Sequence, residues 1–183
     1  AYALRESGAP YLGRYGACST MSEALCLGSV LIDGGAGQKV AALTSSHFCS
    51  AERQFRYPLE YGSIRTPTSQ WTATAAGAVI LCDSAPAPYI TQVTIGRIMD
   101  AGVTDTSNMG AAMAMAACDT LTRHFEDTGR GPDYYDAVLT GDLGRVGSEI
   151  LAELMAMRGI GLGAKHMDCG SLIYDAARQG VCS

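Results

Sequence analysis

Gly16–Leu25, with the sequence GACSTMSEAL, predicts a turn that delivers a cysteine to the first turn of a helix. Thr20 and Glu23 have the spacing of a capping box, so a helix should begin there. The residues that follow, up to Ile32, are apolar almost all round, which is typical of a buried helix. A glycine pair that starts at Gly34 should end it.

Cys18 is the candidate functional residue of this stretch. It precedes a helix whose first backbone N–H groups and positive dipole end converge on it, an environment that lowers a thiol pKa and favours bound anions. The alternative is that Cys18 is a small buried residue, which is the usual place of a cysteine. The spacing of cap, thiol and glycines favours a site.

The composition limits the classes of function. The chain has 183 residues, 48% of them hydrophobic and 17% charged, which indicates a compact globular protein. A net charge of −5 without a basic tract argues against nucleic acid as a partner. No apolar run approaches the roughly 20 residues of a membrane span. Seven cysteines without a Cys-x-x-Cys pair fit reduced thiols better than disulfides or a zinc site.

Strands and helices alternate along the chain, which indicates an α/β fold. Apolar runs and period-two alternation predict strands at 39–43, 71–81, 89–98 and 136–140. Period-3.6 patterns predict further helices at 109–125 and 148–158. Because the chain starts at Ala1 without methionine and stops within a pattern, we expect it to be a fragment of a longer protein.

The polar residues Ser45, Ser46 and His47 follow the first predicted strand, where α/β folds place ligands. A helix of about 20 Å and a returning strand of about 17 Å bring them back to the level of Cys18. The alternative, of equal weight, is a loop whose hydroxyls cap the next helix. Arg53, in the irregular segment 51–70, is a candidate partner for a carboxylate, although a solvated face or a dimer contact is commoner for a single arginine.

Other chemistries lack their motifs. The sequence contains neither the Gly-x-Ser-x-Gly elbow of serine hydrolases nor a Gly-x-x-x-x-Gly-Lys phosphate loop. The three histidines are far apart, so no metal or cofactor is predicted. What remains is Cys18 with His47 and His166 as candidate acid–base partners, the pattern of a thiol nucleophile.

The stretch around Cys18 resembles the nucleophile motif of the thiolase-like superfamily, the condensing enzymes of fatty-acid and polyketide synthesis. More narrowly, the chain resembles the stage V sporulation protein AD family. Tyr11 to Tyr174 carries that resemblance, in the segments GACSTMSEAL, ALTSSHF, AERQFRYPLEYG, NMGAAMAMAACDT, LTGDLGRVGSEIL and KHMDCGSLIYD. AERQFRYPLEYG and KHMDCG are specific to the family.

The resemblance implies a thiolase-like five-layer α-β-α-β-α sandwich of two similar halves, truncated at both ends. Residues 1–89 would form the C-terminal part of the first half, and residues 90–183 most of the second. Strands 40–43 and 138–140 would lie in adjacent sheets with helix 21–32 buried between them.

The resemblance also implies a function. Members of the family bind dipicolinic acid (pyridine-2,6-dicarboxylate) and serve its uptake into the forespore, in association with the forespore inner membrane. We therefore expect a cytoplasmic, peripherally membrane-associated protein whose partners are other stage V sporulation membrane proteins. Whether calcium accompanies the ligand, and whether the protein is a homodimer, stay open. The expected ligand-binding residues are Cys18, Ser45, Ser46, His47 and Arg53.

The alternative that the superfamily implies is an acyltransferase that forms a thioester on Cys18 with help from His166. Condensing enzymes carry a histidine at the end of the strand that reads AVLTG here, at 137–141, and none is present. An incomplete acid–base set favours ligand binding over catalysis.

Overall fold

The computed structural model describes residues 2–47, 66–84 and 86–182. The chain divides into two compact units, one formed by Ala1–Ser45 with Ala75–Tyr89 and the other by Ser46–Thr74 with Ile90–Ser183. Each unit combines helices with strands, which confirms the α/β class. The five-layer sandwich and its division into two halves stay predictions.

The first unit is a helix on a two-stranded antiparallel sheet. Its elements are α1 (Thr20–Asp33), β1 (Lys39–Ser45) and β2 (Ala76–Cys82). Val40 lies opposite Leu81 in the pair. The predicted helix and first strand are confirmed, whereas the strand predicted from residue 71 begins only at Ala76.

α1 approaches the sheet most closely at Gly28, its one buried residue. A Cβ at Gly28 would stand 2.7 Å from Leu81 Cδ1 and 3.2 Å from Val40 Cγ1, so the absence of a side chain permits this contact. The other residues of α1 are only partly covered, and Val30 is 52% exposed. The prediction of a buried helix is therefore wrong for this chain, because two strands cover a single side of the helix within its unit.

The second unit is built on two long helices and a two-stranded parallel sheet. Its elements are α2 (Met109–Thr128), β3 (Val138–Thr140), α3 (Gly144–Met157), β4 (His166–Asp168), α4 (Cys169–Ile173) and α5 (Ala176–Gln179). The core that holds them together consists of Ala114, Cys118, Phe125, Leu143, Leu151, Met155 and Leu162. The predicted helix at 109–125 is confirmed and extends further, while the one predicted at 148–158 begins four residues earlier, at Gly144.

Local chemistry explains the bounds of α2. The Asn108 side chain accepts a hydrogen bond from Ala111 N at 3.3 Å and so caps the first turn. Gly129 ends the helix with a φ of +64°, in the left-handed region that glycine adopts without steric cost.

α2 and α3 touch through a pair of glycines. A Cβ at Gly147 would lie 2.8 Å from the carbonyl oxygen of Gly110, and one at Gly110 would lie 3.1 Å from Gly147 N. Any side chain at either position would push the two backbones apart. The glycine pair therefore sets the distance between the two helices that carry the core.

The strand predicted at 89–98 is wrong, since the structure describes this whole range and assigns no strand there. Its polar residues contact α2: Thr94 Oγ1 lies 2.8 Å from His124 Nδ1, and the Arg97 guanidinium donates two hydrogen bonds to the Asp119 carboxylate. The hydrogen bond from Arg97 holds the pKa of Asp119 below its usual range. Thr94 and Arg97 are three residues apart, so the contacts with α2 do not follow the alternation of a strand, and a strand also needs a partner backbone.

Candidate functional site

Cys18 lies in a short 3-10 helix, Ala17–Ser19, that leads directly into α1. Its side chain is exposed, so the alternative of a buried structural cysteine does not apply. Ala17 has a φ of +49° and is, among the residues described, the one non-glycine with a positive φ. Such strain is found at positions that the surrounding structure holds in place, often at functional sites.

The side chains of Ser19 and Thr20 fix this turn by hydrogen bonds to the backbone that precedes Cys18. Thr20 Oγ1 accepts a hydrogen bond from Gly16 N at 3.1 Å and donates one to Ala17 O at 2.8 Å. Ser19 Oγ lies 2.7 Å from the Gly16 carbonyl oxygen. The thiol-bearing turn is thus tied to the helix start by two hydroxyl groups.

Glu23, in the first turn of α1, contacts residues on both sides of Cys18. Its Oε1 atom lies 2.5 Å from Ser19 Oγ, and its carboxylate forms an ion pair with Arg14. The predicted capping box is therefore changed: the helix begins at Thr20 as expected, but Ser19 occupies the N-cap and its hydroxyl bonds Glu23 instead of a backbone N–H. The charge of Arg14 thus balances the Glu23 carboxylate beside the helix start.

Ser45 and Ser46, which were predicted to bind the ligand together with Cys18, belong to different units. Along β1 the half-buried and buried residues Val40, Ala42 and Thr44 alternate with exposed ones, so Ser45 lies on the face turned away from α1. Ser46 belongs to the second unit, where its hydroxyl donates to Ala73 O at 2.6 Å.

His47 and Arg53 are the two remaining predicted ligand-binding residues. His47 belongs to the second unit, and Arg53 falls outside the described residues. Thr44 belongs to the same polar cluster but is not among the predicted ligand-binding residues, although it shares the α1-facing side of β1 with Ala42. Strand parity counted from Ala42 would have distinguished Thr44 from Ser45.

A second polar cluster lies in the second unit, where the parallel strands β3 and β4 end. His166 Nε2 lies 3.0 Å from Thr140 Oγ1, and Thr140 Oγ1 lies 3.1 Å from Asp168 Oδ1. The Asp168 side chain is buried and also accepts hydrogen bonds from Leu143 N at 2.8 Å and Gly144 N at 3.2 Å. Asp168 thereby joins the start of α3 to the β-sheet.

Burial shifts the pKa values of His166 and Cys169, the two titratable groups beside the Asp168 carboxylate, in opposite directions. Burial lowers the pKa of His166, against the opposing charge of Asp168. Burial raises the pKa of the Cys169 thiol, and the carboxylates of Asp168 and Asp142 raise it further. The His166 ring is thus favoured in its neutral form, and Cys169 is a poorer nucleophile than an ordinary thiol.

Sequence reasoning selected His166 but missed Thr140 and Asp168. The sequence did contain a pattern that indicates polar strand ends. Polar residues end an apolar or mixed run at 139–144 (LTGDLG) and again at 165–170 (KHMDCG). Recognising it required the parallel pairing of β3 with β4, which places Thr140 opposite Asp168. β4 has three residues, two of them charged or titratable, and period-two alternation cannot identify so short a strand.

The described ranges contain no group of three His, Cys, Asp or Glu side chains arranged to hold a metal ion. None of the helices in these ranges is both long and apolar enough to cross a bilayer.

Comparison with known proteins gives two matches. The family model for stage V sporulation protein AD (SpoVAD) matches residues 1–183. Stage V sporulation protein AD of Bacillus subtilis (strain 168) is 46% identical over 178 residues, which cover 97% of this chain and 53% of the relative. The chain therefore spans about half the length of the curated relative it matches.

Proposed function

We propose, since the chain belongs to the stage V sporulation protein AD family, that the protein binds dipicolinic acid. In this role it would support the uptake of the dipicolinate dianion into the forespore. In this proposal a thiolase-like five-layer fold serves as a binding scaffold without condensing activity. The protein would act at the forespore inner membrane as a peripheral component, with other stage V sporulation membrane proteins as its partners.

The observation that carries the proposal is the exposed position of Cys18 at the start of α1. The N-cap hydroxyl of Ser19 is directed to Gly16 and Glu23 and bonds no backbone N–H group. Ser19 N and Thr20 N donate to the carbonyl oxygens of Gly16 and Ala17, so the proposed site uses the other N–H groups of this turn. Backbone N–H groups at a helix start bind carboxylates well, because they point at the ligand and the helix dipole favours negative charge. A dicarboxylate suits such a place.

The first unit offers one further donor near that point. Val40 meets α1 at Gly28, ten residues after Cys18, a distance of about 15 Å along the helix. From Val40, β1 covers about 13 Å before it reaches Thr44. Because Thr44 shares the α1-facing side of the strand with Val40, we expect its hydroxyl near the level of Cys18.

Calorimetric titration of the full-length protein with dipicolinate tests the proposed site. Cys18→Trp should abolish binding by filling the space above the helix start, and Cys18→Ala should weaken it only modestly. Thr44→Val should weaken binding by roughly 10- to 100-fold, because a hydrogen bond to a charged group contributes about 1.5–3 kcal/mol. Ser45→Ala, on the opposite face, is the matched control and should bind as the wild type does. Wild-type affinity in both Cys18→Trp and Thr44→Val would place the ligand elsewhere.

The second candidate function is acyl transfer through Cys18, which the exposure of that thiol favours. Intact mass spectrometry after incubation with acyl-coenzyme A separates the two functions. A binding protein should remain unmodified. A stable acyl adduct that disappears in Cys18→Ser would support the acyltransferase and contradict a purely non-catalytic role.

A further inference from the structure

The hydrogen bonds around Thr140 can be assigned by counting protons. The Thr140 hydroxyl has one hydrogen and two close neighbours, His166 Nε2 at 3.0 Å and Asp168 Oδ1 at 3.1 Å. Asp168 Oδ1 already accepts from Leu143 N, and Oδ2 accepts from Gly144 N, as expected of a carboxylate. Since a carboxylate can only accept, the Thr140 hydrogen points to Asp168.

The direction of that hydrogen determines the tautomer of the neutral His166 ring. With its hydrogen directed to Asp168, Thr140 Oγ1 presents a lone pair to His166, so the ring must donate from Nε2. Nδ1 then carries the lone pair of the ring. Among the residues that the structure describes, no group hydrogen-bonds Nδ1.

We propose that Thr140 and Asp168 are positioning residues that hold the neutral His166 ring as the Nε2–H tautomer, so that Nδ1 is the proton-accepting atom of the ring. The inference rests on the second unit alone and is independent of the site proposed at Cys18.

Neighbouring elements hold the hydrogen-bonded residues His166, Thr140 and Asp168, here called the relay, in a fixed geometry. Asp168 is buried and caps α4 by accepting from Ser171 N at 3.2 Å, in addition to its bonds to the start of α3. The parallel register of β3 and β4 places Thr140 opposite Asp168. Thr140 is itself buried and β-branched, which restricts its side chain to few rotamers.

The tautomer can be read directly by long-range proton–nitrogen correlation spectra of the full-length protein labelled with ¹⁵N-histidine. The His166 signals are identified by their loss in His166→Gln. At about pH 8, where an ordinary histidine ring is neutral, the wild type should show a proton on Nε2 and none on Nδ1. A wild-type ring protonated on Nδ1 would overturn the proposal.

Two variants separate positioning from structural support. Thr140→Val keeps the volume and removes the hydroxyl, so the Nε2–H preference should be lost, whereas Thr140→Ser keeps the hydroxyl and should restore it. His124 is the internal control, because its ring nitrogens bond Thr94 and Tyr135 and should not respond. An unchanged His166 tautomer in Thr140→Val would contradict the relay. If that variant does not fold, the wild-type spectrum alone still decides.

Discussion

Ala17 stands directly before the candidate thiol with a φ of +49°, where a side chain costs about 1–2 kcal/mol. Ala17→Gly should remove this strain and, after the greater entropy of the unfolded chain is subtracted, raise the free energy of unfolding by about 0.5–1 kcal/mol. Urea unfolding measures the change. Ala24→Gly, in the interior of α1, is the control and should lower stability by about 1 kcal/mol. A similar loss at both positions would show that Ala17 is not strained.

The reactivity of the thiols tests the chemical environment of Cys18. Cys18 is exposed at a helix start, whereas burial and neighbouring carboxylates raise the pKa of Cys169. Iodoacetamide should therefore alkylate Cys18 faster than Cys169, and faster than the partly or fully buried Cys26, Cys82 and Cys118. Peptide mapping by mass spectrometry gives the separate rates. Equal rates for all five thiols would remove the reason to regard Cys18 as activated.

His166 predicts a pH dependence of stability. Its folded pKa lies below the ordinary value of about 6.5, so the unfolded chain takes up the proton first as the pH falls. Above about pH 6.5 the ring is neutral in both states, and the neutral ring contributes its full stabilisation. As the pH falls from there to the folded pKa, the unfolded chain is protonated first and the free energy of unfolding decreases. Urea unfolding across this window should show a smaller loss of stability in His166→Gln than in the wild type. A steeper loss in the variant would mean that the ring is stabilised in its charged form.

At the scale of elements, the glycine contact between α2 and α3 is the most sensitive packing feature. A methyl group at Gly147 would press on the Gly110 backbone at 2.8 Å, so Gly147→Ala should cost about 1–3 kcal/mol of stability. Gly141→Ala is the control, because a Cβ there meets no atom within 4 Å. Thermal unfolding compares the two. A loss at Gly147 no larger than at Gly141 would show that the helices can separate without cost.

Elements that carry their own stop and start residues could be predicted from the sequence. α2 has Asn108 and Gly129 at its ends, and β1 follows a glycine-rich connector, so both lie where local patterns placed them. The segment 89–98 shows the limit of such patterns. Its alternation is real, yet its polar side chains meet α2 while Val93, Ile95 and Ile98 stay exposed.

At the scale of the whole molecule, the candidate site illustrates what local patterns leave undetermined. Helix and strand lengths indicated that the end of β1 returns toward Cys18, but only strand parity shows that Thr44, and not Ser45, faces α1. The hydrogen bonds among His166, Thr140 and Asp168 depend on a parallel pairing between residues 28 positions apart in the chain. Such pairings follow from tertiary packing, which the periodicity of one segment does not encode.

Dipicolinate is proposed to bind at the start of α1, beside Cys18. The most direct measurement is the rate of Cys18 alkylation by iodoacetamide in the full-length protein, with and without dipicolinate, resolved by mass spectrometry. With free ligand at about 100 times Kd, the rate should fall by up to about 100-fold, since only unliganded protein reacts. The Cys169 rate should not change. An unaltered Cys18 rate under conditions where calorimetry shows bound dipicolinate would contradict the account.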